Sequence, residues 1–113
     1  MTALTSATVR QPRPRKPKMT TDLHEYIRRR DRMCFLYRLD QSHICASQWG
    51  VSHSPFNLGA LTVDHVWDDH QALGLRPPND KWHLVAMCWK GNVGCPSAAV
   101  REAERAFLRE VEP

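Results

Sequence analysis

The chain has 113 residues, enough for one small domain. Its hydrophobic and charged fractions, 42% and 25%, are ordinary for a globular protein. No apolar run approaches the ~20 residues that span a bilayer, so we expect no membrane association. The N-terminus also lacks the apolar core of a secretory signal, and we therefore expect a cytoplasmic location.

Basic residues outnumber acidic ones, sixteen to twelve, and the excess is concentrated at the start of the chain. Residues 1–19 contain three prolines and few large apolar groups, so burial cannot offset their ordering entropy. The sequence predicts a disordered basic arm at 1–19 and one folded domain at 20–113. The cations suit a polyanion such as a nucleic acid, and the alternative is a solvated tail. The arm residues expected to contact phosphate are Arg13, Arg15, Lys16 and Lys18.

The first predicted helix begins near Asp22. Asp22 and Glu25, three residues apart, are typical of a helix N-terminus. The helix should fray between Asp31 and Met33. A basic run on this helix offers further phosphate contacts that carry no sequence information. These residues are Arg28, Arg29 and Arg30.

Two short strands follow a long loop. Residues 34–60 are rich in Ser, His, Asn and Gly, which is typical of a loop. Residues 61–66 and 83–88 are apolar and partly β-branched, and they predict two strands. The connection between them, 67–82, is long for so small a domain, which favours a functional role.

The last segment, residues 96–112, predicts an amphipathic helix with Ser97 as its N-cap. An apolar stripe should pack on the core, and Glu104 belongs to the charged residues expected to face outward. The predicted fold class is therefore α+β. The stripe consists of Val100, Ala103, Phe107, Leu108 and Val111.

Asp64 and His65 lie together on the first predicted strand, and Asn92 follows the second. Hydrolysis of a phosphodiester needs a base for water and positive charge near the phosphoryl oxygens. A histidine can deprotonate water, and Asp64 and Asn92 offer the oxygen ligands that Mg²⁺ prefers. Because neighbours on a strand face opposite sides, a bulge or the strand end must turn one of the pair. The alternatives are a core histidine at 65 and an ordinary turn at 92.

Three groups of residues, in this order, resemble the HNH endonucleases, a family of ββα-metal nucleases common in small phage and mobile-element proteins. The groups are Arg30-Asp31-(x2)-Cys34, Val63-Asp64-His65 and His83-Leu84-(x3)-Cys88-(x3)-Asn92. The resemblance covers about residues 28–110. The stretch Gly91-Asn92-Val93-Gly94 is also similar to phage resolvases of the endonuclease VII type. The resemblance implies a ββα-metal, treble-clef-like fold with an N-terminal helix, a β-hairpin and a C-terminal helix, stapled by zinc.

The resemblance also implies roles for the polar residues. His65 would be the general base, and Asp64 and Asn92 would be ligands of a catalytic Mg²⁺ or Mn²⁺. His83 falls where the family carries a central asparagine that ties down the loop between the strands. His83 could instead ligate the metal, or Asn79 could brace the loop.

The family often carries two Cys-x2-Cys knuckles that hold a structural Zn²⁺. Here the first cysteine of each knuckle is present, while Tyr37 and Gly91 replace the second. Two cysteines further downstream give a Cys₄ site with the spacings C-x10-C and C-x6-C. His43 or His53 in place of one cysteine is the first variant, and free buried thiols are the alternative. The implied zinc ligands are Cys34, Cys45, Cys88 and Cys95.

The function implied is therefore that of a metal-dependent DNA endonuclease, acting in the host cytoplasm if the protein is encoded by a phage. The main alternative is a non-catalytic zinc-finger-like module that binds DNA or a protein, with Asp64 and His65 as structural residues. A third possibility is an enzyme that works only inside an assembly, because small phage HNH proteins often assist genome packaging beside a terminase. The sequence leaves open the form of the DNA, the cleavage specificity and the oligomeric state.

Overall fold

The computed structural model describes residues 19–66, 69–93 and 97–113. Within these ranges the chain is α+β, as the sequence predicts, with a two-stranded antiparallel sheet and helices around it. None of the helices described is long and apolar enough to cross a membrane. The elements, in chain order, are helix α1 (Thr21–Asp31), helix α2 (Phe35–Leu39), a first 3₁₀ turn (Leu58–Ala60), strand β1 (Thr62–His65), helix α3 (Asp69–Ala72), strand β2 (Leu84–Met87), a second 3₁₀ turn (Trp89–Asn92) and helix α4 (Ala98–Val111).

Most of the predicted basic arm lies outside the described residues. Met19, the last residue of that arm, is described, and its side chain packs against the hydrophobic core. Met19 therefore contributes to the folded domain. The predicted site residues outside the described ranges are Arg13, Arg15, Lys16, Lys18 and Cys95.

Helix α1 is capped by Thr20 and not by the predicted Asp22. The Thr20 backbone is extended, and its hydroxyl oxygen accepts a hydrogen bond from the backbone N–H of Leu23 at 3.1 Å. Asp22 lies inside the first turn, where a negative charge favours the positive end of the helix dipole. At the other end, Arg32 adopts a left-handed backbone with a φ of 69° and ends the helix.

Strand β2 is the centre of the domain. It pairs with β1 in an antiparallel register that places Val63 opposite Ala86 and Asp64 opposite Val85. All four residues of β2 are buried, whereas those of β1 are half-buried. Such complete burial explains why the segment 84–88 is continuously apolar instead of alternating.

Helix α1 closes the edge of β2 that does not pair with β1. Arg30 donates from Nη2 to the Leu84 carbonyl oxygen at 2.6 Å, and the Asp31 carboxylate accepts from the Ala86 N–H at 2.7 Å. Alternate residues of an antiparallel strand direct their backbone polar groups to the same edge. The backbone groups of Leu84 and Ala86 would otherwise be buried without partners, which costs about 1–3 kcal/mol for each.

The same pattern continues beyond the strand. Cys34 follows α1 and accepts from the backbone N–H of Cys88 through its sulfur at 3.2 Å. Cys88 lies two residues after Ala86 and so faces the same edge. The motif Arg30-Asp31-(x2)-Cys34 therefore runs along the outer edge of β2.

Arg30 is part of this internal network and is unavailable to DNA. Its guanidinium also binds the Asp31 carboxylate at 2.6 Å and the Lys81 carbonyl oxygen at 2.7 Å, and Glu112 lies 3.4 Å away. Only 7% of the side chain is exposed. The prediction that Arg30 contacts phosphate is therefore corrected: a cation in a basic run can be a structural residue when carboxylates converge on it.

Helix α4 begins as predicted, with the Ser97 hydroxyl accepting from the Val100 N–H at 3.3 Å. Phe107 and Leu108 pack against the core. The prediction that Glu104 faces outward is wrong, because its relative exposure is 0%. Residues three and four apart share a helix face, so Glu104 lies in the middle of the apolar stripe.

We expect Asp31→Asn to lower the free energy of unfolding by about 3 kcal/mol. The amide keeps the shape of the carboxylate, but it removes the negative charge that pairs with Arg30 and turns N–H groups toward other donors. Urea unfolding measures the loss. The control is Glu25→Gln, which removes an exposed pair with Arg29 on the same helix and should cost less than about 0.5 kcal/mol. Equal losses in the two variants would contradict this role of Asp31.

Candidate functional site

Four side chains from three parts of the chain could hold a metal ion. Their ligand atoms all lie within 4.8 Å of one another, and the three sulfurs are buried. His43 Nε2 lies 3.2 Å from the Cys88 sulfur. Three sulfurs and one imidazole nitrogen form a donor set typical of tetrahedral zinc. The four residues are Cys34, His43, Cys45 and Cys88.

Local structure places each of these ligands. Cys34 is the N-cap of α2, and Cys88 caps the second 3₁₀ turn, where its sulfur accepts from the Gly91 N–H at 3.3 Å. The loop between them is folded back on itself, with the His53 N–H donating to the Cys45 carbonyl oxygen at 3.0 Å. The cluster thus joins α2, this loop and the end of β2.

Burial favours the neutral forms of the ligand groups in the cluster. It raises the pKa of the Cys45 thiol, and the nearby Cys34 and Cys88 raise that pKa further. Burial also raises the pKa of Cys34, while it lowers the pKa of His43 with a smaller contribution from Lys90. Thiolates packed this closely need a positive charge between them, and a neutral imidazole is the form of histidine that binds metal.

The cluster contains three of the four predicted zinc ligands. Cys95 lies outside the described residues, and among those described the fourth possible ligand is His43. The geometry thus favours His43 over His53 for the histidine variant that the sequence left open. The His53 Nδ1 lies 2.8 Å from the Ser54 carbonyl oxygen and is not a member of the cluster. The signal in the sequence was the spacing of His43 and Cys45, which are separated by a single residue.

Packing explains the glycine at the second knuckle position. A Cβ at Gly91 would lie 3.0 Å from Leu36 Cδ1 and 3.7 Å from the Cys34 sulfur. A Cβ at 3.0 Å requires the Leu36 side chain to shift by a few tenths of an ångström, so the packing here is tight around a glycine.

The second group of polar residues lies on the hairpin. Asp64 is on β1, and Asn92 ends the 3₁₀ turn that Cys88 begins. With its amide nitrogen turned toward Asp64, Asn92 donates to both carboxylate oxygens, at 2.9 and 3.0 Å. Burial raises the pKa of Asp64, against smaller opposing effects from His65. The structure thus brings together Asp64 and Asn92, 28 residues apart in sequence.

His65 contacts Asn79. His65 is the last residue of β1, and its Nε2 lies 2.8 Å from the Asn79 Oδ1. His83 is directed to a different partner, with Nδ1 2.5 Å from the Asp80 Oδ1. Of the two possibilities for the loop between the strands, the geometry therefore supports a bracing contact from Asn79. That asparagine lies four residues before the position that the family motif indicates.

Glu104 is a charged residue that sequence reasoning missed. Neither of its carboxylate oxygens has a hydrogen-bond partner among the described residues, and the side chain is fully buried. Burial raises the pKa of Glu104 to about 7, with a further contribution from the charge of Asp64. Helix α4 thus carries a buried carboxyl group whose pKa responds to the charge of Asp64.

Comparison with known proteins gives no assignment. No family model, no curated protein and no solved structure matches the chain.

We expect His43→Ala to lose zinc and Cys95→Ser to retain it, because four possible ligands already converge among the described residues and zinc takes four. Zinc per chain, measured by mass spectrometry after dialysis against a weak chelator, tests this. Circular dichroism shows whether each variant is folded, since loss of a structural zinc also costs folding energy. Loss of zinc from Cys95→Ser but not from His43→Ala would identify the Cys₄ site instead.

The raised pKa of Glu104 predicts a pH-dependent stability. Between the ordinary value of 4.5 and about 7, the unfolded chain ionises while the folded one stays protonated, so stability falls as the pH rises through this window. One pKa unit corresponds to about 1.4 kcal/mol. Without Mg²⁺ or Mn²⁺, Glu104→Gln should therefore exceed wild type in stability by roughly 2–3 kcal/mol more at pH 8 than at pH 5. Urea unfolding at both pH values measures this, with Glu102→Gln, at an exposed position of the same helix, as the control. A stability difference independent of pH would contradict the burial of an ionisable Glu104.

Proposed function

We propose that the protein is a metal-dependent DNA endonuclease of the HNH type, which hydrolyses phosphodiester bonds. One observation carries the proposal: Asp64 and Asn92 lie at hydrogen-bond distance from each other, next in sequence to a histidine that an asparagine braces. In this proposal the carboxylate and the amide supply two oxygen ligands, and the imidazole supplies one base. This is the set that the chemistry of phosphodiester hydrolysis needs.

His65 is the general base in this proposal. When Nε2 carries the proton and donates to the Asn79 oxygen, Nδ1 is left unprotonated and can accept a proton from water. Asn79 thus selects the tautomer and fixes the orientation of the ring. The family resemblance assigns a bracing role to an asparagine, and we assign it here to Asn79 and not to His83.

Asp64 and Asn92 would hold the divalent cation, Mg²⁺ or Mn²⁺. Both offer the hard oxygen atoms that these ions prefer, and Asn92 would turn its amide oxygen toward the ion. The bound ion supplies positive charge to the scissile phosphate and to the leaving oxygen. Burial of Asp64 strengthens its interaction with a cation, because the local dielectric constant is lower than that of water.

The Cys/His cluster would hold a structural Zn²⁺. Its role follows from position: Cys88 is the cap of the turn that carries Asn92. Zinc would therefore fix the distance between β1 and this turn, and with it the separation of Asp64 from Asn92. In so small a chain, metal–ligand bonds also replace part of the hydrophobic core.

DNA would be bound through surface cations. Arg29 is exposed and pairs with Glu25 at 2.7 Å, and Arg28 is half-buried beside His24. With Arg30 assigned to the internal network, Arg28 and Arg29 are the residues of α1 that would contact phosphate. The arm residues Arg13, Arg15, Lys16 and Lys18, outside the described ranges, would add contacts that depend on salt concentration.

A second candidate function is a binding module that works beside a partner protein, such as the phage packaging machinery with its terminase. The loop between α2 and the first 3₁₀ turn favours this function, because it displays large apolar side chains. Trp49 is 79% exposed, and Ile44 and Val51 are exposed near it in sequence. Exposed aromatic and aliphatic groups of this kind are typical of protein-binding surfaces.

Nicking of supercoiled plasmid in Mg²⁺ or Mn²⁺ tests the proposed nuclease. We expect cleavage by the wild type, none in excess EDTA, and a loss of about 100-fold or more in His65→Ala, since a general base contributes about 10²–10⁴ in rate. His24→Ala, which removes a histidine from α1, should cleave like wild type. Cleavage by His65→Ala at the wild-type rate would contradict the assignment of the base. A folded wild-type protein that binds DNA and does not nick it would favour the binding module.

A further inference from the structure

A cavity of about 280 Å³ lies between helix α4 and the loop that leads into β2. Val66 and Leu108 are buried and form an apolar part of its lining, while Trp82 and His83 line it from the loop. Ligand pockets begin at about 300 Å³. This cavity therefore has room for one small ring system and not for a long chain.

The aromatic wall of the cavity is held in place by Asp80. Its Oδ1 accepts from the Trp82 backbone N–H at 3.1 Å and lies 2.5 Å from the His83 Nδ1. The Trp82 side chain is nevertheless 52% exposed, and the Lys81 ammonium lies 4.9 Å from the centroid of its ring. A large aromatic ring that is fixed through its backbone and exposed beside a cavity offers a surface on which another ring can stack.

The charged groups of the lining make the cavity attractive to an anion. Arg105 and Arg109 both line it, and because they are four residues apart they share one face of α4. Glu112 lines it too, but its carboxylate is engaged by Arg30 and Lys81, at 3.4 Å from each. A stacking surface beside two arginines is complementary to a ligand with a flat ring and a negative charge, as a nucleotide has.

The cavity adjoins the end of β1 that carries His65. Val66 directly follows His65, and its N–H donates to the His83 carbonyl oxygen at 2.8 Å. Asn79, which lies 2.8 Å from the His65 ring, directly precedes Asp80, which holds the aromatic wall. Two consecutive residues of one loop thus position both the proposed general base and the wall of the cavity.

We propose that this cavity binds one unpaired base of single-stranded DNA, stacked on Trp82, with an adjoining phosphate bound by Arg105 and Arg109. The inference rests on the proposed function for the identity of the ligand as DNA, and it adds the form of DNA that the site takes. A base inside a duplex is stacked on its neighbours and cannot enter a protein cavity without leaving the stack. The site would therefore favour a strand with an unpaired base near the scissile bond.

Two oligonucleotides of equal length, one with thymine at every position and one abasic throughout, test the proposal. They carry the same number of phosphates and differ only in the bases. The zinc-loaded full-length chain, without Mg²⁺ or Mn²⁺, should bind the thymine oligonucleotide about tenfold more tightly, because a base gains affinity by stacking on an aromatic side chain. Fluorescence anisotropy measures both dissociation constants. Equal affinities would overturn the inference and would favour a side chain of a partner protein as the occupant of the cavity.

Variants at Trp82 locate the preference for bases. Trp82→Ala should reduce it to about twofold or less, and Trp82→Phe should keep most of it because a ring remains. The matched control is Phe56→Ala, which removes an aromatic side chain of similar exposure, 56%, from a different loop and should keep the full preference. Circular dichroism and zinc content show whether each variant is folded. An unchanged preference in folded Trp82→Ala would overturn the inference, as would a loss of the preference in Trp82→Phe as complete as in Trp82→Ala.

Arg109→Gln tests the phosphate contact separately. It should weaken the binding of both oligonucleotides by the same factor, and it should lower the slope of log affinity against log salt concentration by about 0.7, the value for one phosphate contact on a single strand. Lys90→Gln removes the same charge from an exposed position on the second 3₁₀ turn and should leave that slope unchanged. Equal changes in the two variants would show an effect of net charge alone and would overturn the phosphate contact.

The outcomes for the cavity and for the nuclease are distinguishable. A preference for bases that depends on Trp82 supports the cavity assignment even if plasmid is never nicked, in which case only the proposed nuclease activity fails. Nicking by a wild type that binds the two oligonucleotides equally well supports the proposed function and overturns the cavity assignment.

Discussion

The rest of the structure depends on the contacts that the Asp31 carboxylate makes with the edge of β2 and with Arg30. This carboxylate accepts the Ala86 N–H from the outer edge of β2 and holds Arg30, which in turn binds the Leu84 carbonyl oxygen. A two-stranded hairpin alone is marginal in water, and its unpaired edge is a liability. Two adjacent side chains of α1 remove that edge. They also fix where α1 ends and hence where Cys34 is placed.

A series of contacts connects the outer edge of β2 to the Cys/His cluster, and the cluster to Asp64 and Asn92 on the hairpin. Cys34 contacts the Cys88 N–H, Cys88 begins the 3₁₀ turn, and Asn92 ends that turn against Asp64. Each step is a direct contact, so the placement of Asn92 beside Asp64 builds on the placement of Cys34 at the end of α1.

Much of the backbone could be predicted from the sequence because its signals are local. The apolar runs gave both strands to within a residue or two, and Ser97 is the N-cap of α4. The residues missed are those whose role depends on tertiary neighbours. Arg30 is charged, as a phosphate ligand would be, and only the buried carboxylates around it make it structural. Sequence patterns assign charged residues to the surface, whereas Arg30 and Glu104 are buried.

The ligand set of the metal cluster shows a different limit of sequence reasoning. Spacing suggested four cysteines, but tetrahedral coordination requires only that four donors converge, and a loop can bring in any residue that lies near. The His43 N–H closes a turn on the Asp40 carbonyl oxygen, and the His53 N–H donates to the Cys45 carbonyl oxygen. In the loop held by these two bonds, His43 Nε2 lies 3.2 Å from the Cys88 sulfur. Long loops carry little periodic information, so such a ligand is found from the three-dimensional structure.

Glu104 shows how this fold tolerates a buried acidic residue. An ionised carboxylate in an apolar helix face is costly. Burial raises the pKa of Glu104 to about 7, so below that pH the folded domain holds this group as the neutral acid. The same burial makes stability depend on pH, because the unfolded chain ionises at lower pH than the folded one. The Cys/His cluster and the closed edge of β2 are independent of this titration, and under the proposed function they would hold the hairpin residues in place at any pH near neutrality.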